Sequence, residues 1–385
     1  MQSTYTPFQD YINQTLNGES RWWSWCIGIW FAILIWLCGQ IILGFGILLV
    51  SSLTDTEIFS AMTSEGSAPP PTNSNLMALY ALLSISPIIP VSLWFTRENL
   101  KSKLAKQIAI ALSGFIVIGS SAAFIHANMN TPDGSTDFVT HLILSHPLHY
   151  ALILLAFPVL IAGLWIVQTQ IHKRTFLSLL TSASKFRWKR MGFAMIVVWA
   201  VMGIGNYITH ITGLSPAKFV FDPSRFWIYL PVTLLFIPLQ SATEEIALRG
   251  YLNQGLGRFI KNPWIIFFLT SAAFASLHLG NPEVLESTKD TSLLLAISGY
   301  FFFGFFACVL TYIDGGLESA IGMHAANNIF AASMMGYDNS ALPTPTIFKV
   351  ELNTSLDSVT VLISLSIVCF IMYKTRKPYS LAQNN

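Results

Sequence analysis

Three polar clusters interrupt stretches of sequence that are otherwise apolar. The first is Glu244-Glu245-Ile-Ala-Leu-Arg249, which follows an uncharged run from Phe226 to Gln240. An ionised side chain inside a bilayer helix costs roughly 2.5–3.5 kcal/mol on insertion scales, so three of them in six residues need a purpose. On a helix, Glu245 and Arg249 are four residues apart and can pair. Glu244 is turned by about 100° from its neighbour and has no obvious local partner, which leaves its carboxylate free for proton transfer. The second cluster is His278 in "FASLHLG". The third is "GMHAANN", which sets His324 and Asn328 four apart on one helical face. An imidazole and an amide on one face can donate hydrogen bonds to one point, and an oxyanion, a ligand or a neighbouring helix would each suit that arrangement.

The elements that carry these residues are membrane spans. Of 385 residues, 53% are hydrophobic and 10% charged, against about 25% charged in soluble domains. Mean hydropathy is +0.57. The fold class expected is an all-α polytopic transmembrane helix bundle of about ten spans: 23–50, 76–96, 108–126, 148–168, 191–211, 226–257, 263–280, 292–313, 317–336 and 355–373. Proline and glycine clusters mark several joints, among them "SAPPPTNSN", "KNP", "DGG" and "LPTPT". Glu244 and His278 each lie seventeen residues from Lys261, so a hairpin turning at "KNP" brings them to similar depth.

Charge distribution orients the bundle. With the amino terminus inside, "TRENLKSKLAKQ", the basic stretch 171–190, "GRFIKNP" and the tail all fall on the cytoplasmic side. Only Lys218, Arg225, Lys289 and Lys349 of the 21 basic residues then lie outside. This bias predicts ten spans with both termini cytoplasmic. Residues 1–190 hold four of the spans and no intramembrane acid, and are expected to be an accessory region. The chemistry is expected in 191–336, and 337–385 supplies the last span and a basic tail.

Other polar residues carry less. The four cysteines lie in apolar runs and read as small core residues, not a disulfide framework or zinc knuckle. His141, His146 and His149 have no carboxylate or cysteine nearby, and Pro147 is expected to break the helix there. Asn206 and His210 suit an interhelical contact. No HExxH, GxSxG, GxGxxG or P-loop pattern occurs. The basic stretches flank spans without aromatic interleaving, so nucleic-acid binding has no support.

The order Glu244-Glu245-x-x-x-Arg249, then Phe274-x-x-x-His278, then His324-x-x-x-Asn328 resembles the CAAX-protease and bacteriocin-processing (CPBP, or Abi) family of intramembrane endopeptidases. The likeness covers about 226–336 and includes the context "GGLESAIGMHAANN". It implies a hydrolase in which Glu244, helped by His278, activates a water. Glu245 and Arg249 hold the helix, and His324 and Asn328 stabilise the oxyanion. It leaves metal dependence open: a glutamate and two histidines suit zinc, so Glu244, His278 and His324 are the candidate ligands of a metalloprotease version. Substrates in the family are prenylated CAAX proteins and bacteriocin leaders or immunity partners. Cleavage is expected near the cytoplasmic side of a bacterial cell membrane. Two alternatives differ in class. A catalytically silent scaffold or immunity protein would lose a motif residue, and none is lost. A proton-coupled transporter would carry polar residues through the first four spans, which show few.

Overall fold

Most spans begin at a side chain that satisfies the free N–H groups of a first helical turn. Asp222 accepts from the backbone of Ser224 and Arg225, Asn262 from Trp264, Ser292 from Leu295 and Asn353 from Leu356. Pro223 and Pro263 follow two of these caps at a position where no N–H is needed. These signals fix where those apolar runs enter helix.

The structure, a computed structural model, describes residues 6–54, 59 and 134–376. An amphipathic α1 (Pro7–Asn13) precedes the long α2 (Trp22–Thr54). Then come α3 (Gly134–Ser145), α4 (Pro147–Ile171), α5 (Trp188–Ile211) and α6 (Pro223–Gly257). They are followed by α7 (Pro263–Leu277), α8 (Pro282–Asp290), α9 (Leu293–Asp314), α10 (Glu318–Ser333) and α11 (Thr354–Lys374). Among the described residues six helices are long and apolar enough to cross a membrane, or seven if the bent pair α7–α8 is one span. The expected spans 76–96 and 108–126 lie outside the described residues.

Two expected spans differ from plain crossings. The chain bends by 93° between α7 and α8, because Asn281-Pro282 starts a new helix soon after α7 ends. The helix expected over 317–336 is the 16-residue α10. At 1.5 Å per residue it is about 24 Å long, short of the roughly 30 Å hydrocarbon core. It is buried along almost its whole length, packed against α5, α6 and α9.

The connections gather at two opposite faces. At one, β1 (Lys218–Phe219), β2 (Met335–Gly336) and β3 (Phe348–Lys349) form a small sheet in the order β1-β3-β2. β3 runs antiparallel to β1 and parallel to β2. α8 joins this face through Glu283, which accepts from the Ala341 N–H at 2.9 Å. At the other face, Arg187 pairs with Glu318 at 2.7 Å and Arg190 with Asp314 at 3.0 Å. Arg190 also donates to the Met372 carbonyl near the end of α11. Gly315 turns α9 into α10 with φ +62°, where a Cβ would come within 2.6 Å of the Pro7 carbonyl oxygen.

Residues from both sides of position 190 share one core. The ring of Phe8 meets Phe267 edge-on at 5.2 Å, and the Tyr11 hydroxyl donates to the Leu179 carbonyl at 2.5 Å. Tyr251 packs on Trp25 at 4.9 Å between ring centres. The amino-terminal region is thus welded to the helix that carries the glutamate pair.

Candidate active site

α6 carries the glutamates at a change of helical pitch. Its regular turns end at Glu245, and Ile246–Leu252 form a wider π-helical stretch before the regular pitch resumes at Asn253. Such local widening often accompanies functional sites, because it re-aims side chains without ending the helix. Here Arg249 lies within the wide turns and still reaches back to Glu245, at 3.2 Å.

Glu245 and Arg249 are both wholly buried, at 0% side-chain exposure. The same Glu245 oxygen also meets His324 Nδ1 at 2.7 Å. The guanidinium sits over the Phe274 ring at 4.5 Å, a cation–π contact in place of a second carboxylate. Gly304 makes room for it: a Cβ there would lie 2.8 Å from an Arg249 nitrogen and 3.2 Å from the Ser271 Cα. The His324 ring is held edge-on by Phe303 at 4.9 Å. With Nδ1 committed to Glu245, its Nε2 faces Glu244 Oε2 at 3.7 Å.

Glu244 is 17% exposed and lines the cavity described below. Contrary to the expectation that it lacks a local partner, it has one on its own helix. Gln240 Nε2 donates to Glu244 Oε1 at 2.5 Å, and Asn328 Nδ2 donates to Gln240 Oε1 at 3.1 Å. Asn328 therefore reaches the glutamate through Gln240. Gln240 was missed by sequence reasoning, although its position four residues before Glu244 was a usable signal. The other oxygen, Oε2, is buried and accepts no hydrogen bond.

His278 is not on a continuing span. α7 ends at Leu277, and His278 is the residue that caps it before the bend. Its ring lies between Phe274, at 4.4 Å, and Tyr300, stacked at 4.3 Å and 24°. Nδ1 is 2.7 Å from the Phe274 carbonyl oxygen, so Nδ1–H donates and Nε2 is the nitrogen left for chemistry. The Tyr300 hydroxyl donates to Glu283 and accepts from Asn281 Nδ2 at 2.9 Å. Tyr300 and Glu283 are a second feature that sequence reasoning missed, because nothing in their spacing marks them.

Glu244, His278, His324 and Asn328 all line one cavity of about 970 Å³. Its wall also includes Ser215, Tyr337, Ser340 and Leu352, which belong to the sheet-bearing face. Among the described residues, none of the connections 172–187, 258–262 or 315–317 contributes to it. The cavity therefore descends from the face opposite the basic loops.

Among the described residues, no three His, Cys, Asp or Glu groups come together to hold a metal ion. Glu244, His278 and His324 share the cavity, and each histidine commits Nδ1 and keeps Nε2, as metal-bound histidines do; the three are not drawn together into a metal-binding group, and no step below is routed through one.

Among the described residues, His146, His149 and His210 make structural contacts. His149 bridges Ser51 at 3.1 Å and Ser145 at 3.0 Å. His146 caps the helix that starts at Pro147 by accepting from the Leu148 N–H. His210 accepts from the Ala217 N–H and Asn206 donates to its own helix at Met202, so the hydrogen bonds of that pair are local.

Residues 223–330, which hold all three motifs, match the family model of the type II CAAX prenyl endopeptidase Rce1-like proteins. The uncharacterized protein YyaK of Bacillus subtilis (strain 168) is 32% identical over 219 residues, which is 56% of this chain and 68% of that protein. No solved structure matches. With its paired glutamates, two histidines and asparagine gathered around one intramembrane cavity, the chain belongs to the Rce1-like CAAX protease family.

Proposed function

We propose that the protein is an intramembrane endopeptidase that cleaves membrane-associated peptides with a water activated by Glu244. One observation carries this reading. Glu245 is wholly buried with Arg249 and His324 on its Oε1, whereas Glu244 is 17% exposed and brings an oxygen without a hydrogen-bond donor to the cavity wall. Glu244 takes a proton from a water that His278 Nε2 helps to hold. The hydroxide adds to the peptide carbonyl. Glu245 supports an imidazolium at His324, which donates Nε2–H to the oxyanion together with Asn328. The C–N bond then breaks, and the protonated Glu244 returns its proton to the leaving amine.

The membrane setting is part of the same reading. Ten spans with both termini cytoplasmic, in a bacterial cell membrane, are supported by the basic connections at the face shared by α1 and the end of α11. Residues 1–190 act as a brace for the catalytic region and do not supply chemistry. The test is cleavage of a membrane peptide by purified protein. Glu244→Gln keeps the shape and the Gln240 contact and should lower kcat by about 10²- to 10⁴-fold, with the melting temperature unchanged. A Glu244→Gln variant that cleaves near normally, beside a Glu245→Gln variant that is stable but dead, would reverse the assignment.

A further inference from the structure

Three amides and a carboxylate form a hydrogen-bonded line across α6 and α10. Asn327 Nδ2 donates to Asn328 Oδ1 at 3.1 Å, Asn328 Nδ2 to Gln240 Oε1 at 3.1 Å, and Gln240 Nε2 to Glu244 Oε1 at 2.5 Å. The Ser241 hydroxyl is a second donor to Gln240 Oε1, at 3.1 Å. Gln240, Glu244, Asn327 and Asn328 all border the cavity. Neither Gln240 nor Asn327 is a fixed position of the three motifs.

The line has a direction, and Glu244 sets it. An ionised carboxylate only accepts. Gln240 therefore turns its amide nitrogen to Glu244 and its carbonyl to Asn328. A carbonyl also only accepts, so Asn328 turns its nitrogen to Gln240, and its own carbonyl faces the Asn327 nitrogen. Each amide is polarised in the same sense, which strengthens its neighbours. With Glu244 Oε1 taken by Gln240, the oxygen left to take a proton is Oε2, which lies 3.7 Å from His324 Nε2. With its carbonyl held by Asn327, Asn328 keeps the second hydrogen of Nδ2 for an oxyanion. A flipped Asn328 would offer a carbonyl to the developing negative charge.

We propose that Gln240 and Asn327 are positioning residues for the hydrolysis: together they fix which oxygen of Glu244 is free and which end of the Asn328 amide meets the oxyanion. The proposal rests on the endopeptidase reading and adds two residues outside the motifs to it. Gln240 acts on Glu244 directly and on Asn328 from one side. Asn327 acts through Asn328 alone, from the other side. Removing either frees the Asn328 amide to rotate, so the chemical step loses more than substrate binding does.

The first arm of the test reads the line without needing activity. Infrared spectra are taken of purified protein with isotope-labelled glutamate carboxyls. The band that disappears in Glu244→Gln belongs to Glu244. Gln240→Met nearly keeps the side-chain volume and removes the donor, so it should move that band. A band that stays in place overturns the proposal. The second arm is cleavage of a membrane peptide. Gln240→Met and Asn327→Ala should each lower kcat by about tenfold with KM little changed. The double variant should lose less than the product of the two single losses, because Gln240→Met has already released the Asn328 amide through which Asn327 acts. An unchanged kcat, a loss confined to KM, or a double loss equal to the product overturns the positioning role. Gln240 is only 7% exposed, whereas Asn327 is half-buried; where Gln240→Met does not fold, the kcat and KM of Asn327→Ala decide. If wild type cuts no membrane peptide while the Glu244 band moves as expected, the endopeptidase reading fails and the hydrogen-bonded line stands.

Discussion

Replacing Glu245 by glutamine removes one charge from a cluster that has no spare partner. Arg249 is wholly buried, and among the described residues its only ionic contact is Glu245 at 3.2 Å. Two of its nitrogens, Nε and one terminal NH2, already lack hydrogen-bond acceptors. After the change the guanidinium keeps the Phe274 face and a neutral amide oxygen at most. Breaking a buried pair by removing one partner costs about 3–5 kcal/mol in soluble proteins. With an unfolding entropy of about 2.1 cal/mol/K per residue over 385 residues, that is a melting-temperature loss of about 4–6 °C. Membrane proteins expose less chain on unfolding, so the entropy is smaller and this shift is a lower bound. His324 loses the carboxylate at its Nδ1 as well, so cleavage should fall together with stability. The double variant Glu245→Gln with Arg249→Met removes both charges and should regain part of the lost stability, because the stranded cation is gone. The assay is thermal unfolding in one detergent, followed by size-exclusion fluorescence, beside a cleavage assay on the same samples. A single variant as stable as wild type would refute the reasoning, as would a double variant no more stable than the single.

Three further outcomes follow from the same geometry. Gly304→Ala places a methyl 2.8 Å from an Arg249 nitrogen with the Ser271 backbone behind it at 3.2 Å; the guanidinium must shift, so both melting temperature and kcat should fall, and an unaffected enzyme would show that the contact is slack. Asn328→Ala releases Gln240 and, with it, the orientation of Glu244, so kcat should drop by about tenfold or more with KM little changed; steady-state kinetics separate this from a binding defect. His172, just past α4, is fully buried, and burial pushes its pKa down to about 4 from 6.5. The unfolded chain then binds the extra proton between those values, so the contribution of the neutral ring is whole above about pH 6.5 and is lost as pH falls toward 4, at most about 3 kcal/mol. His172→Gln should flatten the fall in melting temperature over that window, and an unchanged slope would remove His172 as the cause.

The membrane nature of the chain and the identity of its reactive groups were legible in the sequence because both are local properties. Apolar runs long enough to span a bilayer announce themselves by composition, and acids inside them are too costly to be incidental. The pairing of Glu245 with Arg249 needed only helical periodicity, and the structure has it. Their partners across the bundle were not legible. Helix periodicity says which residues share a face, not which face meets which neighbour. So the His324 contact to Glu245, the Asn328 contact to Gln240 and the Tyr300 stack on His278 appeared only in the packed bundle. The break at His278 also escaped, since "LGNP" stops a helix without saying how far the chain then turns, and the turn is 93°. The end of the bundle at which the cavity opens is likewise a tertiary property. It depends on which helix ends are sealed by packing, and residues far apart in the chain, such as Ser215, Tyr337 and Leu352, line its mouth together only after folding.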